Sequence, residues 1–475
     1  MNNNLPDAPP EKLDELMLRA DGGDADACRE LLHYYMVECD PADAESAVPW
    51  AARGARQGDA TCLYFMGQFY LNGQGGVEQN DEKAAYYLNA AAEMDHPSAA
   101  YKLALLMAGS QGGLPCDFAK ILTLLKTAYD GGVGEEIPEL ADAVLSFLQE
   151  KAGPETPELC FAYAWACFNG LFCPQNYERA AQYYYEAAKA DHANAQYELG
   201  LCYLAGKGVP QSAQKAEMWI HLAALQGLPM AEFEEGSFYA MGDGVPQDDA
   251  EAFKWFSLAA EHDHPGANAA VGVFYETGKV VEKDMDKAVP FYERSVELGS
   301  PKGFYHLGCC YVFGNGVRQK VKKGVALLQQ AASMGHADAE RKMQTVLASL
   351  KKSAEQGDLN ALAELGFIYY EVLPEPLWDE AYRCFSRAAE QDHPRGLFGL
   401  GQCLIYARGT AQDTERGLAL IVRAAMAGEP DALAVYGHFM VEMSDTQEKR
   451  DEGLELLRRA AANGSELAEE YLAAE

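Results

Sequence analysis

Apolar residues recur at helical spacing in short runs, and each run carries one small residue at its centre. Ala195, Leu199, Cys202 and Tyr203 fall on one side of a 3.6-residue helix with Gly200 in their midst. The phrase returns as Glu235-Gly236-Ser237-Phe238-Tyr239, Val271-Gly272-Val273-Phe274-Tyr275 and Leu307-Gly308-Cys309-Cys310-Tyr311, about 36 residues apart each time, and Gly67, Gly366, Gly401 and Gly437 extend the series. A second pattern follows each phrase, a large residue ahead of a small pair: Trp219 before Ala223-Ala224, Trp255 before Ala259-Ala260, Phe385 before Ala388-Ala389. Small residues permit close helix contact and large ones plug the space beside them, so the pair of patterns predicts helix, turn, helix. The fixed period predicts an all-α, right-handed α/α superhelical solenoid of such units. A mid-helix glycine costs roughly 0.5–1 kcal/mol relative to Ala. Its recurrence therefore predicts that the paired helix approaches closely there, with the Tyr three residues on filling the groove.

Turn chemistry supports the same unit. Gly206-Lys207-Gly208-Val209, Gly242-Asp243-Gly244-Val245 and Gly314-Asn315-Gly316-Val317 place glycines where positive φ is needed. Three residues past the valine stand the expected N-caps Asn80, Ser212, Asp248 and Asp284. Lys320 breaks the cap series and Val280 replaces the second turn glycine, so both connections are expected to differ locally. Asp95-His96-Pro97, Asp263-His264-Pro265 and Asp392-His393-Pro394 read as helix-start devices, because Pro is tolerated in the first helical turn.

Two gaps interrupt the glycine series. Ala164 takes the glycine's place just after a stretch running from Gly131-Gly132 to Gly153-Pro154, and Gln344 takes it where no turn signal appears. The expected organisation is a poorly ordered segment 1–24, a repeat sub-array 25–136, an irregular connecting helix 137–155, a regular sub-array 156–336, a long connecting helix 337–357 and a last sub-array 358–475.

The phrase Leu199-Gly200, Tyr203, Gly206, Gly208-Val209, Lys215-Ala216, Trp219, Ala223-Ala224 resembles the Sel-one-like repeat family, a branch of α/α solenoids related in shape to tetratricopeptide arrays. About ten to twelve copies, whole or degenerate, cover nearly the whole chain after residue ~25. The resemblance implies a curved superhelix that binds other proteins or assembles complexes, and it implies no single activity.

Composition narrows the partners. A chain of 475 residues exceeds the roughly 250–300 that one core serves, which favours an array. A net charge of −34 makes nucleic acid a poor partner, since phosphate binding needs clustered Lys and Arg. The start Met1-Asn2-Asn3-Asn4-Leu5-Pro6 has no basic and apolar leader, and no stretch of roughly 18 apolar residues appears, so no membrane insertion and a cytoplasmic location are expected. The twelve cysteines form no regular pairs, and Cys202, Cys310 and Cys403 each follow a repeat glycine by two, a core position for a small hydrophobe.

No catalytic, cofactor-binding or metal-binding residue is assigned. One His per Asp-His turn reads as a turn residue rather than a ligand, and no phosphate loop, dinucleotide fingerprint, His-Glu-x-x-His or Gly-x-Ser-x-Gly phrase is present. Ser-x-x-Lys occurs at Ser212 to Lys215 and at Ser349 to Lys352, and secreted cysteine-rich members of the resembled family are linked to β-lactam binding. Ser212 is accounted for as an N-cap, and the Ser-Asp-Asn and Lys-Thr-Gly partners are missing. The leading expectation is a scaffold or adaptor whose concave face binds a protein or peptide segment. A translocated effector or regulator is the alternative, and a β-lactam-related hydrolase a more remote one. By analogy with tetratricopeptide arrays, the first helices line that face. The residues selected are Tyr64, Gln68, Asn194, Tyr197, Phe233, Tyr305, Asn360, Phe398, Gln402 and His438, with Lys302 and Arg395 as scattered cations.

Overall fold

Many of the units are closed by turn chemistry that glycines supply, as a computed structural model shows for residues 10–39, 42–110, 114–443 and 446–474. Gly206 ends the helix Ala193–Ala205 in the left-handed region, with φ 65°, and Gly73, Gly242, Gly278 and Gly314 end their helices in the same way. A Cβ on Gly208 would lie 2.0 Å from the Tyr177 carbonyl oxygen of the preceding unit, so the second turn glycine is required by space as well as by φ. A glutamine after the turn reaches back to the freed helix end: Gln211 Nε2 donates to the Leu204 carbonyl, and Gln175, Gln247, Gln319 and Gln412 repeat the contact. Asn80, Ser212, Asp248 and Asp284 cap the next helix as expected, whereas Lys320 makes no side-chain cap.

The Asp-His turn divides its work between the two residues. Asp95, Asp191, Asp263 and Asp392 hold the left-handed conformation that Gly58, Gly227, Gly299 and Gly428 hold elsewhere. His96, His192, His264 and His393 are the N-caps, their Nδ1 accepting from the backbone N–H three residues on.

Close approach at the central glycine is the packing rule. A Cβ on Gly200 would stand 2.4 Å from Ile220 Cγ1, on Gly67 2.7 Å from Leu88 Cγ, and on Gly401 2.8 Å from the Gly417 carbonyl oxygen. The Tyr three residues on is covered by the lysine that opens the second helix: Lys83 lies over Tyr70, Lys215 over Tyr203, Lys287 over Tyr275 and Lys323 over Tyr311, at 4.9–5.7 Å.

Among the described residues there are 26 α-helices and no strand. They form an α/α solenoid in two compact units, Met1–Gln247 and Asp248–Glu475. The two irregular segments each hold a single helix, Ile137–Lys151 and Ala339–Glu355, and each lies inside one unit. Ala141, Leu145 and Leu148 share a buried cluster with Leu122 and Cys160, while Met343, Val346 and Leu347 join Leu328 and Leu365, so the core passes through both helices.

One expectation is corrected. Residues 10–21, assigned to a poorly ordered start, form the helix Pro10–Asp21, and Leu16 and Ala20 pack with Leu31 and Phe69. Residues 1–9 lie outside the described residues. Two first helices also close without glycine, through the π-helical turns Tyr34–Glu38 and Ile368–Val372.

Candidate partner-binding surface

In unit 2 the consecutive first helices Leu359–Phe367, Pro394–Ile405 and Pro430–Met443 border a recess of about 420 Å³. Phe367, Phe398 and Gln402 line it beside Arg395, whose guanidinium pairs with Glu364 at 3.1 Å and lies 5.0 Å from the Phe367 ring centre. The basic stretch Arg318-Gln319-Lys320-Val321-Lys322-Lys323 also lines it and clasps residues about 145 positions further along. Arg318 Nη1 donates to the Asn463 carbonyl at 3.0 Å, and Lys320 and Lys323 both reach Glu466, at 2.9 and 2.8 Å. Those lysine hydrogen bonds, Lys323's first, hold the Glu466 carboxyl at about 2. In the recess lining, burial and the neighbouring Asp431 push the Glu429 carboxyl up to about 7, although the Ala432 N–H donates to it at 2.6 Å. The absent cap at Lys320 thus frees a lysine for the clasp.

A second recess of about 460 Å³ in the same unit is lined by Val273, Phe274, Lys302, Tyr305, His306 and His336. Tyr305 stacks on His336 with ring centres 4.4 Å apart.

The selected residues fall into groups. Tyr305, Phe398 and Gln402 line the recesses with Lys302 and Arg395. Asn194 and Asn360 are exposed, and Asn360 Oδ1 pairs with His393 Nε2 at 3.0 Å. Tyr64 is half-buried, stacked on His96 at 4.7 Å, and its hydroxyl accepts from Gln68. His438 stacks on Tyr471 at 4.0 Å, and Phe233 is half-buried. Tyr197 is 7 % exposed and Phe398 3 %, so both rings offer little free surface.

Some of the stacked pairs share a position. The aromatic residue one turn before the central small residue meets the histidine of the turn that leads into the following unit, as Tyr64 meets His96, an N-cap, and Tyr305 meets His336, which lies just ahead of the next helix. Phe161 meets His192 at 4.8 Å in the same way and escaped selection because Ala164, not glycine, marks its unit. Nothing in the local sequence of 318–323 signalled the clasp. Ser212 accepts from Lys215 N–H at 3.3 Å, and the Lys215 ammonium lies over Tyr203, so both act within the repeat. Among the described residues no helix is long and apolar enough to cross a membrane, and all twelve cysteines are free thiols.

The Sel1 repeat family model matches residues 60–96, 157–192, 193–228, 229–264, 265–300, 305–336, 379–393, 394–429 and 430–465. The chain is similar to a protective antigen present in uropathogenic Escherichia coli strains displaying an SLR fold, at 24% identity over 97% of this chain and 89% of that one, with a TM-score of 0.37. It is similar to a Sel1 repeat protein from Oxalobacter formigenes, at 28% identity over 70% and 90%, with a TM-score of 0.38. An immunity protein from Pseudomonas aeruginosa matches at 21% identity over 49% and 82%, with a TM-score of 0.19. No curated protein matches the chain.

Proposed function

Because the chain belongs to the Sel1 repeat family, whose members are generally protein-interaction scaffolds, we propose that it binds an extended segment of a partner protein along the face formed by its first helices. The observation that supports this reading is the recess lined by the 318–323 stretch, where largely buried aromatic rings, an amide and paired charges converge from three consecutive first helices. Rings supply contact area at low entropy cost, and Gln402 can pair with a partner's backbone. The reading is one of binding without turnover.

Photo-crosslinking amino acids placed singly at Gln402, at Tyr305 and at the exposed second-helix residue Leu418 test it in native lysate. The same partner is expected to crosslink from Gln402 or Tyr305 and not from Leu418. Crosslinking from Leu418 alone would refute the assignment of the face.

A further inference from the structure

Two carboxylates in one unit stand where neighbouring units are apolar. Glu235 precedes Gly236 at the place that Leu199, Val271 and Leu307 occupy, all of them buried. Glu217 stands where Ala181, Phe253, Val289 and Val325 stand 36 residues away or at multiples of that period. One turn beyond Glu217, on the same side of the helix Ala213–Leu225, comes His221. Glu235 faces that pair from the helix Pro229–Met241.

The three side chains converge. His221 Nδ1 lies 2.9 Å from Glu235 Oε1, and one ligand atom from each of Glu217, His221 and Glu235 lies within 4.8 Å of the others. The Glu235 side chain is 0 % exposed, yet its second oxygen, Oε2, has no hydrogen-bond partner. The other buried acid discussed above, Glu429, accepts a backbone N–H, so burial alone does not orphan a carboxylate in this fold. Packing does not explain a buried acid where a leucine serves elsewhere, nor a second acid placed against it.

We propose that Glu217, His221 and Glu235 form a binding site for a first-row divalent cation, with Zn²⁺ the best match. Two carboxylates and a neutral imidazole carry a charge of −2, which such a cation balances. Imidazole beside carboxylate suits Zn²⁺ better than Mg²⁺ or Ca²⁺, which take all-oxygen sets. With metal–ligand bonds of about 2.1 Å, two ligands on one tetrahedral ion stand roughly 3.4 Å apart. The His221–Glu235 separation is already close to that, and Glu217, half-buried on the adjacent turn, completes the set by side-chain rotation. His221 is 37 % exposed, so the site opens to solvent on that side, and water takes the fourth position.

The test uses the full chain, stripped with chelator and kept reduced, titrated calorimetrically with Zn²⁺ and with Mg²⁺, and with Co²⁺ followed by absorption. Expected are one Zn²⁺ per chain, no comparable Mg²⁺ uptake, and a Co²⁺ spectrum without thiolate charge transfer. His221→Ala and Glu217→Gln should each weaken Zn²⁺ binding by roughly 100-fold or more. Glu235→Leu, which installs the neighbouring units' residue, should abolish binding while leaving the metal-free melting temperature equal or higher. The proposal is overturned if the wild-type chain takes up no stoichiometric Zn²⁺, if uptake survives His221→Ala and Glu217→Gln, or if Co²⁺ reports sulfur ligands.

Discussion

Gly272→Ala tests whether the central glycine exists for helix approach. A Cβ there would stand 2.5, 2.7 and 3.0 Å from Cε1, Cδ1 and Cζ of Tyr292, a ring with no solvent exposure whose hydroxyl donates to the Glu276 carboxylate. Overpacking of this kind costs about 1–3 kcal/mol. Replacing a mid-helix glycine by alanine returns about 0.5–1 kcal/mol of helix propensity. The net expectation is a loss of about 1–2 kcal/mol, felt locally because repeat arrays open unit by unit. Native-state hydrogen exchange in the helices Pro265–Thr277 and Met285–Glu297 should therefore speed up roughly 5–30-fold. Tyr292→Leu alone should cost about 2–4 kcal/mol as a large-to-small change. In the double variant the methyl group occupies space the ring has left, so the two losses should fall short of additive by about 1–2 kcal/mol. At Gly401 the Gly417 carbonyl oxygen and Ile421 Cγ1 both stand at 2.8 Å, so shortening Ile421 relieves only one of the two clashes and should rescue Gly401→Ala less completely. Unchanged exchange in Gly272→Ala, or full additivity with Tyr292→Leu, would refute the packing argument.

Glu429, held near 7 where the unfolded chain titrates at 4.5, binds a proton more readily when folded, so its contribution is present at pH 4.5 and lost as pH rises through 7. Glu429→Gln should then stabilise the chain by about 2 kcal/mol at pH 8 and hardly at all at pH 5, read from denaturant midpoints. Burial lowers the His192 imidazole below its ordinary 6.5, and protonation at Nδ1 would break the cap, so stability is present above 6.5 and declines as pH falls below it. His192→Ser should keep the cap within about 1 kcal/mol and reduce that acid sensitivity in thermal melts. Glu466, held at about 2 from an ordinary 4.5, keeps the clasp charged at neutral pH and loses that contribution as pH falls from 4.5 toward 2. Glu466→Gln should raise hydrogen exchange around 318–323 and 463–467 at pH 7, and no change there would mean that the lysines contribute nothing to closure.

What could be read in advance was whatever local covalent geometry dictates. Gly206 must have positive φ and Gly200 must lack a Cβ, so both announce themselves in any copy that keeps them. The helix Pro10–Asp21 carries no such marker and was passed over, and Phe161 was missed because Ala164 stands at the glycine position. The clasp joins residues about 145 apart, and no periodicity relates Lys320 to Glu466. Burial within one register was equally opaque: Tyr197 and Tyr305 precede their glycines by the same three residues, yet one is enclosed and the other borders a recess.

Repeat-wide devices and single-copy departures have different physical meanings. The lysine over the tyrosine, the glutamine on the helix end and the imidazole on the ring recur in several units because those units solve the same packing problem. A residue that abandons its repeat role gives up that contribution, so its persistence in a folded chain calls for some other interaction. Lys320 forgoes an N-cap and instead bonds to Gly464 and Glu466 across the recess. Glu235 forgoes a leucine's burial and leaves an oxygen without a hydrogen-bond partner inside the core. The first departure is accounted for by contacts within the chain, while the second is answered only at Oε1, by His221. The cation titration is therefore aimed at the one site of the two where the chain's own atoms leave a buried carboxylate oxygen without a hydrogen-bond partner.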